Sequence, residues 1–323
     1  MSAELQRRSG RKAQGVMWDM GAHRAAQESR VFTTTNPGGG PGSNTIATEL
    51  RTDAFIERLY PQVRVFELGA TKLIGLVGNV DIPRLSASVS TGWVAENAAL
   101  TPADPQTDKV SMTPKHCGAL VEYSRNMILQ PSLSIEGLLQ DDMARMLAVA
   151  LDTAAVAGTG TSNQPRGIIN TVGIGSVAMG TNGAALTYDA VADLVGQVAD
   201  TNAELGRIAF LTNTKVRRAA AKLKDSQNRP LGQDVVFQGL PAAFTNIVPS
   251  NLTKGTASGI CSALVYGNWS ELLVGVWSEL DILVNPYEST AYSKGNVQVR
   301  AMMTVDIAVR HQASFAAILD ILA

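Results

Sequence analysis

Apolar positions recur at three- and four-residue spacing more persistently in one stretch of the chain than anywhere else. Leu138, Leu139, Met143, Met146, Leu147, Ala150, Leu151 and Ala154 fall on one face of a helix. Ser134 is placed to accept first-turn amide protons as its N-cap. Glu136, Asp141 and Asp142 put carboxylates toward the N-terminal half, where the helix dipole favours them, and Gly158 is the C-terminal breaker. The pattern predicts a helix over 135–157, about 33 Å long at the usual rise per residue. Downstream, Ala190, Val191, Leu194, Val195, Val198 and Ala199 make a second helical face within 188–204. A short apolar strand follows at 207–211, then a basic helix over 214–224 capped by Asn213 or Thr212. Further strands are expected at 259–266, 271–277, 282–284, 297–304 and 305–310. Helices and strands in this mixed order give an α+β class.

Upstream of the long helix the pattern differs. Residues 1 to about 45 lack sustained periodicity, and 36–43 is nearly all glycine and proline, which excludes helix and central strand. A short helix is expected over 49–59 and ends before Pro61. Residues 63–126 have extended character: Val63, Val65, Phe66 and Leu68 lead in, and Leu73–Val77 and Ile82–Leu85 follow. The stretch 86–99 then holds few residues that would anchor a core. A turn at 101–105 leads to returning strand at 109–115 and 117–124. The expectation is a long two-stranded excursion with a polar tip. Such a ribbon is only marginally stable alone in water, so a neighbouring subunit is the economical support.

Composition sharpens this. The 323 residues leave room for two domains with a sizeable core. Charged residues make up 17%, below the usual level of about 25%, which suggests an exterior that largely meets other protein. The net charge of -1 argues against a cationic coat for nucleic acid. The N-terminal segment departs from this balance, because Arg7, Arg8, Arg11, Lys12, Arg24 and Arg30 outnumber Glu4, Asp19 and Glu28. A basic arm of this kind can touch nucleic acid or an acidic neighbour. Cys117 and Cys261 are too few for a disulfide framework, and both are expected to be reduced and partly buried. No apolar run reaches the roughly 18 residues needed to span a bilayer, and no apolar stretch backs the N-terminal charges as in a secretory signal. A soluble chain made in a cytoplasm, with no membrane partner, is expected.

The residues that carry chemistry elsewhere do not form sites here. Gly158-Thr159-Gly160 and the loop to Gly167 follow a helix, and Ile168 stands where a phosphate loop needs lysine. His23, His116 and His311 show no metal spacing. His116 and Cys117 are neighbours on a strand and point to opposite faces. Asp141 and Asp142 point about 100° apart on a helix. No catalytic, cofactor-binding or metal-binding residue is expected, and no enzyme.

The order of these pieces resembles the major capsid protein family of tailed phages, with the Hong Kong 97-type fold. The resemblance runs from about Glu49 to the C-terminus. Ile82-Pro83-Arg84 through Trp93-Val94-Ala95-Glu96-Asn97-Ala98 looks like the family's extended loop. Val121-Glu122-Tyr123-Ser124-Arg125 and Leu129-Gln130-Pro131-Ser132 resemble the lead-in to its long spine helix, and Gln164-Pro165-Arg166-Gly167-Ile168 the loop after it. Phe210-Leu211-Thr212-Asn213, Gly239-Leu240-Pro241, Tyr266-Gly267-Asn268-Trp269 and Val305–Arg310 with Ser314-Phe315-Ala316 resemble its later elements, Asn268 replacing the usual aspartate.

The resemblance implies an α+β fold with an N-terminal arm (1–60), an extended β-hairpin loop (61–118), a peripheral domain (119–180 plus about 275–310) carrying the spine helix 135–157, and an axial domain (181–274 plus about 311–323). It implies a structural subunit of an icosahedral head, built in a bacterial cytoplasm into pentamers and hexamers around double-stranded DNA bound without sequence specificity. Many copies of the chain itself would be its main partners, with portal, scaffold or maturation protease and cement proteins beside them. Trp93, Glu96, Asn97 and Lys109 become the intersubunit contacts of the loop, and Arg7, Arg8, Arg11 and Lys12 the arm facing genome or neighbour. Many members begin with a scaffold segment of roughly a hundred residues, and none precedes the arm here, so a separate scaffold or prior cleavage is expected. The lysine–asparagine cross-link of some members cannot be placed on these residues. The same fold also implies an encapsulin-type compartment shell as an alternative, and a soluble α+β enzyme is the third reading.

Overall fold

The structure is a computed structural model that describes residues 58–323 except 62, 90, 97–98, 100–103, 125 and 128–134. The basic arm, nearly all of the helix expected over 49–59, the Ser134 cap and the Leu129–Ser132 approach lie outside the described residues.

In chain order the elements are α1 (Val65–Leu68), β1 (Thr71–Ile74), β2 (Val80–Ala87), β3 (Gln106–Met112), β4 (Lys115–Tyr123), α2 (Ile135–Ala157), β5 (Gly175–Ser176), α3 (Tyr188–Ala199), β6 (Ile208–Thr212), α4 (Thr214–Lys222), α5 (Gln233–Val236), β7 (Ala242–Phe244), β8 (Leu252–Lys254), β9 (Ala257–Asn268), β10 (Leu272–Asn285), α6 (Ser289–Lys294), β11 (Val297–Val309) and β12 (Phe315–Leu322). The mixed class expected from the pattern is the one observed.

Two sheets organise the molecule. The first is four-stranded, in the order β1-β10-β11-β4. Its inner face is a β-periodic set (Cys117, Ala119 and Val121 on β4; Val299, Ala301, Met303 and Val305 on β11) that packs against Met143 and Leu147 of α2. Met146 belongs to the expected apolar stripe but is 42% exposed. At 100° per residue it lies about 60° around the helix from Met143, on the edge of the stripe.

The second sheet runs β5-β12-β9-β6-β7, with β8 paired to β9. One face is covered by α3, α4 and α5 through Val191, Leu194, Val216 and Val236, with Phe237 just after α5. Phe210 stacks at 4.5 Å from Tyr266 and 5.1 Å from Phe237. Thr187 caps α3 by accepting from the Ala190 amide, and Asn213 caps α4 by accepting from Val216 N–H at 2.9 Å.

The sheets share two strand crossings. β9 passes into β10 through a 3-10 turn at Trp269–Glu271, and β11 into β12 through one at Gln312–Ser314. At these crossings Trp269 meets Phe315 edge-on, ring centroids 5.7 Å apart, and its indole N–H donates to the Ala209 carbonyl at 2.9 Å. The end of α2 (Ala154, Ala155, Val156) and Ile168 complete this shared core.

Three expectations are corrected. Val65–Leu68, expected as extended lead-in, is a short helix closed by Gly69 at φ 112°. The strands expected at 271–277 and 282–284 are one strand, β10, and those at 297–304 and 305–310 are one strand, β11. Irregular register at Val276/Ser278 and Ser278/Asp281 interrupts the alternation of β10 without ending its pairing. The stretch 117–124 does not return along the ribbon. It forms β4, which pairs antiparallel with β11 in the first sheet.

Candidate intersubunit interface

The ribbon is β2 against β3, from Val80 opposite Met112 to Ala87 opposite Gln106. Its stem carries two cross-strand ion pairs, Lys109–Asp81 at 2.8 Å and Arg84–Asp108 at 2.6 Å. The hydrogen bond from Lys109 holds the Asp81 carboxyl below its usual range and raises the lysine in turn, and Arg84 does the same for Asp108. Asp81, Lys109 and Asp108 are exposed and Arg84 is half-buried, so each pair sets register more than stability.

The base is fastened to the body at several points. Met112 is fully buried, and a side chain at Gly275 would collide with its terminal methyl, so the glycine makes its seat. The Trp277 indole donates to the Gly78 carbonyl at 2.6 Å. Arg84 also donates to the Arg310 carbonyl at 3.1 Å and to the Gln312 side chain at 2.7 Å. Where β3 turns into β4, the buried carboxylate of Asp306 accepts from Thr113 N–H at 2.9 Å, from the Lys115 ammonium at 2.8 Å and from Ile307 N–H at 2.8 Å.

The tip is bare by contrast. Val89, Trp93 and Val94 are exposed, and Trp93 is wholly so. Glu96 is exposed and makes no ion pair among the described residues. Asn97 falls outside them, as do Arg7, Arg8, Arg11 and Lys12. The structure therefore brings Trp93 and Glu96 to one solvent-facing tip and places Lys109 in the stem.

Behind the ribbon, α2 holds the start of the described chain. Tyr60 donates to Asp142 and lies under the Arg145 guanidinium, 5.8 Å from the ring centroid. Asp152, buried in the C-terminal part of α2, accepts from Arg64 N–H at 2.6 Å and Val65 N–H at 3.2 Å. Burial pushes its carboxyl up, against the lowering effect of those two amides.

The loop after α2 is a helix-stopping clasp. Gly167 N–H donates to the Gly158 carbonyl at 2.9 Å, and Asn170 donates to the carbonyls of Ala157 and Gly158 at 3.1 and 3.0 Å. These partners satisfy acceptors that a helix end otherwise leaves open. A Cβ at Gly167 would sit 2.5 Å from Gly158 N and 2.6 Å from the Ala154 oxygen, so only glycine fits. His116 and Cys117 do face opposite ways. His116 is 2.9 Å from the Thr304 hydroxyl on the outer face, whereas Cys117 packs on the inner face, where burial raises its thiol. A raised thiol is the reverse of an activated nucleophile. Among the described residues no three His, Cys, Asp or Glu side chains converge as a metal site.

Residues 42–319 match the Phage capsid family. The chain belongs to the phage capsid family. The major capsid protein of Halomonas phage phiHAP-1 is 29% identical over 181 residues, 56% of this chain and 30% of that protein. The major capsid protein of Klebsiella oxytoca phage phiKO2 is 22% identical over 261 residues, 75% of this chain and 59% of that protein. The chain thus spans less than two thirds of the length of either relative. The solved capsid of a native GTA particle is similar with a TM-score of 0.72 at 20% identity, over 87% of this chain and 97% of its own. The fold is therefore the α+β, Hong Kong 97-like capsid fold that the sequence resemblance implies.

Within this capsid-family chain, sequence reasoning missed the residues that fix the ribbon and the chain's start: Asp306, Asp152 and the second role of Arg84. The available signal was a charge set among apolar neighbours, as in Val305-Asp306-Ile307 and Ala150-Leu151-Asp152. A charged group at such a position is rarely fully buried without a partner.

Proposed function

We propose that the chain is the repeating structural subunit of an icosahedral phage head, joining its own copies into pentamers and hexamers that enclose double-stranded DNA. The ribbon carries this reading. Its base is held by buried and hydrogen-bonded groups, whereas its tip sets a whole tryptophan in water. Covering an aromatic side chain of that size is worth about 2–3 kcal/mol, so the tip is built to be covered. Trp93, Glu96 and Asn97 are its contacts with a neighbouring copy, and Lys109 keeps the stem in register through Asp81. Arg7, Arg8, Arg11 and Lys12 form an arm facing the packaged DNA or a neighbour. The four-stranded sheet with α2 serves as the peripheral domain, and the larger sheet as the axial domain near the capsomer centre. Portal, scaffold or protease and cement proteins complete the head, which is assembled in the host cytoplasm and ends as the virion shell. The names of the capsid relatives support this reading, and it assigns the chain a structural role in place of a catalytic one.

Electron microscopy and sedimentation of the expressed chain test it. Closed particles or capsomer rings are expected. Deleting 88–105 should abolish them while circular dichroism keeps the signature of a folded monomer. A chain that sediments as a stable monomer at high concentration overturns the proposal.

A further inference from the structure

Strand β4 leaves one long edge of the four-stranded sheet open. It ends the order β1-β10-β11-β4, and among the described residues no strand runs along its other side. The other edge strands of the two larger sheets, β1, β5, β7 and β8, are four, two, three and three residues long. β4 is nine residues long and pairs with β11 in an unbroken register. Short edge strands, prolines, bulges and free lysines are the usual guards against edge-to-edge pairing. β4 has no proline and no bulge, and its one lysine, Lys115, is bound to Asp306. Its core-facing side is also incomplete. Val299, Ala301, Met303 and Val305 of β11 are buried, whereas Cys117, Ala119 and Val121 beside them are half-buried.

We infer that β4 pairs antiparallel with β4 of a second copy of this chain, about a two-fold axis at Ala119, so that two four-stranded sheets become one. This goes beyond the shell reading above, which names no contact made by this edge. The strand itself selects a second copy as its occupant, because Lys115-His116-Cys117-Gly118-Ala119-Leu120-Val121-Glu122-Tyr123 is self-complementary in this register. On the core-facing side Cys117 lies opposite Val121 and Ala119 opposite itself, so small and apolar side chains meet and complete the burial that β4 lacks. On the outer side Leu120 lies opposite Gly118, where it extends the apolar cover that Met302 already places over that glycine. His116 lies opposite Glu122, which sets an imidazole beside a carboxylate at both ends of the ladder. Directly opposite pairs of this kind stabilise antiparallel strands. The register is the one that uses all nine residues. Moving it by two shortens the ladder and sets Glu122 opposite Gly118 or His116 opposite Leu120, where neither has a polar partner. An isologous contact of this kind closes at two copies.

The test uses the full chain under mild oxidation. Val121→Cys should link to Cys117 of the second copy, because opposite residues have Cα atoms about 4.5–5.5 Å apart, inside the range a disulfide spans. The product should be a dimer with no higher ladder. It should fall at least tenfold when Cys117→Ser is added, since the two copies of residue 121 stand about 14 Å apart in this register. Ala119→Cys with Cys117→Ser is the second variant and should link to its own copy across the axis. The parent should give no linked dimer, because its Cys117 faces Val121. Added to Val121→Cys, His116→Glu should lower the linked dimer at least tenfold, and Glu122→Lys on top of it should return the yield to within about threefold, with circular dichroism unchanged throughout. Folded cysteine variants that do not link overturn the pairing, as does a Val121→Cys dimer that survives Cys117→Ser. Particles that assemble from the parent while neither variant links leave the shell reading standing without this contact. Linked dimers from a chain that never forms particles keep the pairing and overturn the shell reading.

Discussion

Replacing Asp306 with alanine removes the carboxylate that fixes where the ribbon leaves the sheet. Asp306 is buried, and its oxygens take the Lys115 ammonium and the Thr113 amide from the far side of the β3–β4 turn. Breaking a fully buried ion pair by removing one partner costs about 3–5 kcal/mol. Here the Lys115 side chain keeps 23% of its exposure and Thr113 is at the surface, so both can turn to water. We expect about 2–3 kcal/mol for Asp306→Ala, and about 1–2 kcal/mol for Asp306→Asn, which keeps an acceptor for the amide but loses the charge. Lys115→Met leaves the carboxylate buried and unpaired and should cost about 3 kcal/mol. The double variant should cost less than the sum by at least about 1 kcal/mol. Urea unfolding of the unassembled subunit measures all four, with Cm shifting at constant m. An Asp306→Ala cost under about 0.5 kcal/mol, or strict additivity with Lys115→Met, would refute the reasoning.

Gly167→Ala should destabilise by about 3 kcal/mol or more, because its Cβ would meet backbone atoms of 154, 157 and 158; an unchanged thermal midpoint would contradict the clasp. Met146→Ala should change stability by less than about 0.5 kcal/mol, since the side chain is at the surface, whereas Met146→Pro should cost about 3 kcal/mol or more, and calorimetry of both separates side chain from backbone. Asp152 titrates above its ordinary value when folded, so the folded state holds the proton more tightly than the unfolded one. Its contribution therefore grows as pH falls from the raised value toward 3.8 and is absent well above it. The wild type minus Asp152→Asn difference in unfolding free energy should rise across that window; a difference that is flat or falls on acidification rules the assignment out. The subtraction matters because Asp81, Asp108, Glu122 and Glu279 are lowered and give the opposite slope.

The three longer helices, α2, α3 and α4, were legible because their signal is local. The stripe on α2 and the caps Thr187 and Asn213 lie within a few residues of what they stabilise. Strand partnership was not, because alternation states which face is buried and not which strand lies alongside. Lys115–Tyr123 alternates as a ribbon strand would, yet β11 supplies its hydrogen bonds from 190 residues away in sequence at Val305 and Lys115. The breaks within β10 read as ends for the same reason, since Ser278, Glu279 and Asp281 interrupt the apolar pattern while the ladder to β11 resumes beyond them. The ribbon tip was legible as a stretch without core anchors.

The two strand crossings at Trp269 and Gln312–Ser314 have a mechanical consequence. A force that pulls the two sheets apart reaches both crossings at once, as tension along β9–β10 and along β11–β12. Within the sheets it acts lengthwise on paired strands, so ladders of hydrogen bonds are loaded in shear together and do not peel one bond at a time. The Trp269–Phe315 contact sits between the two crossings and resists their sliding. Stress borne at the edges of the subunit is thereby spread over two covalent paths before any packing has to yield.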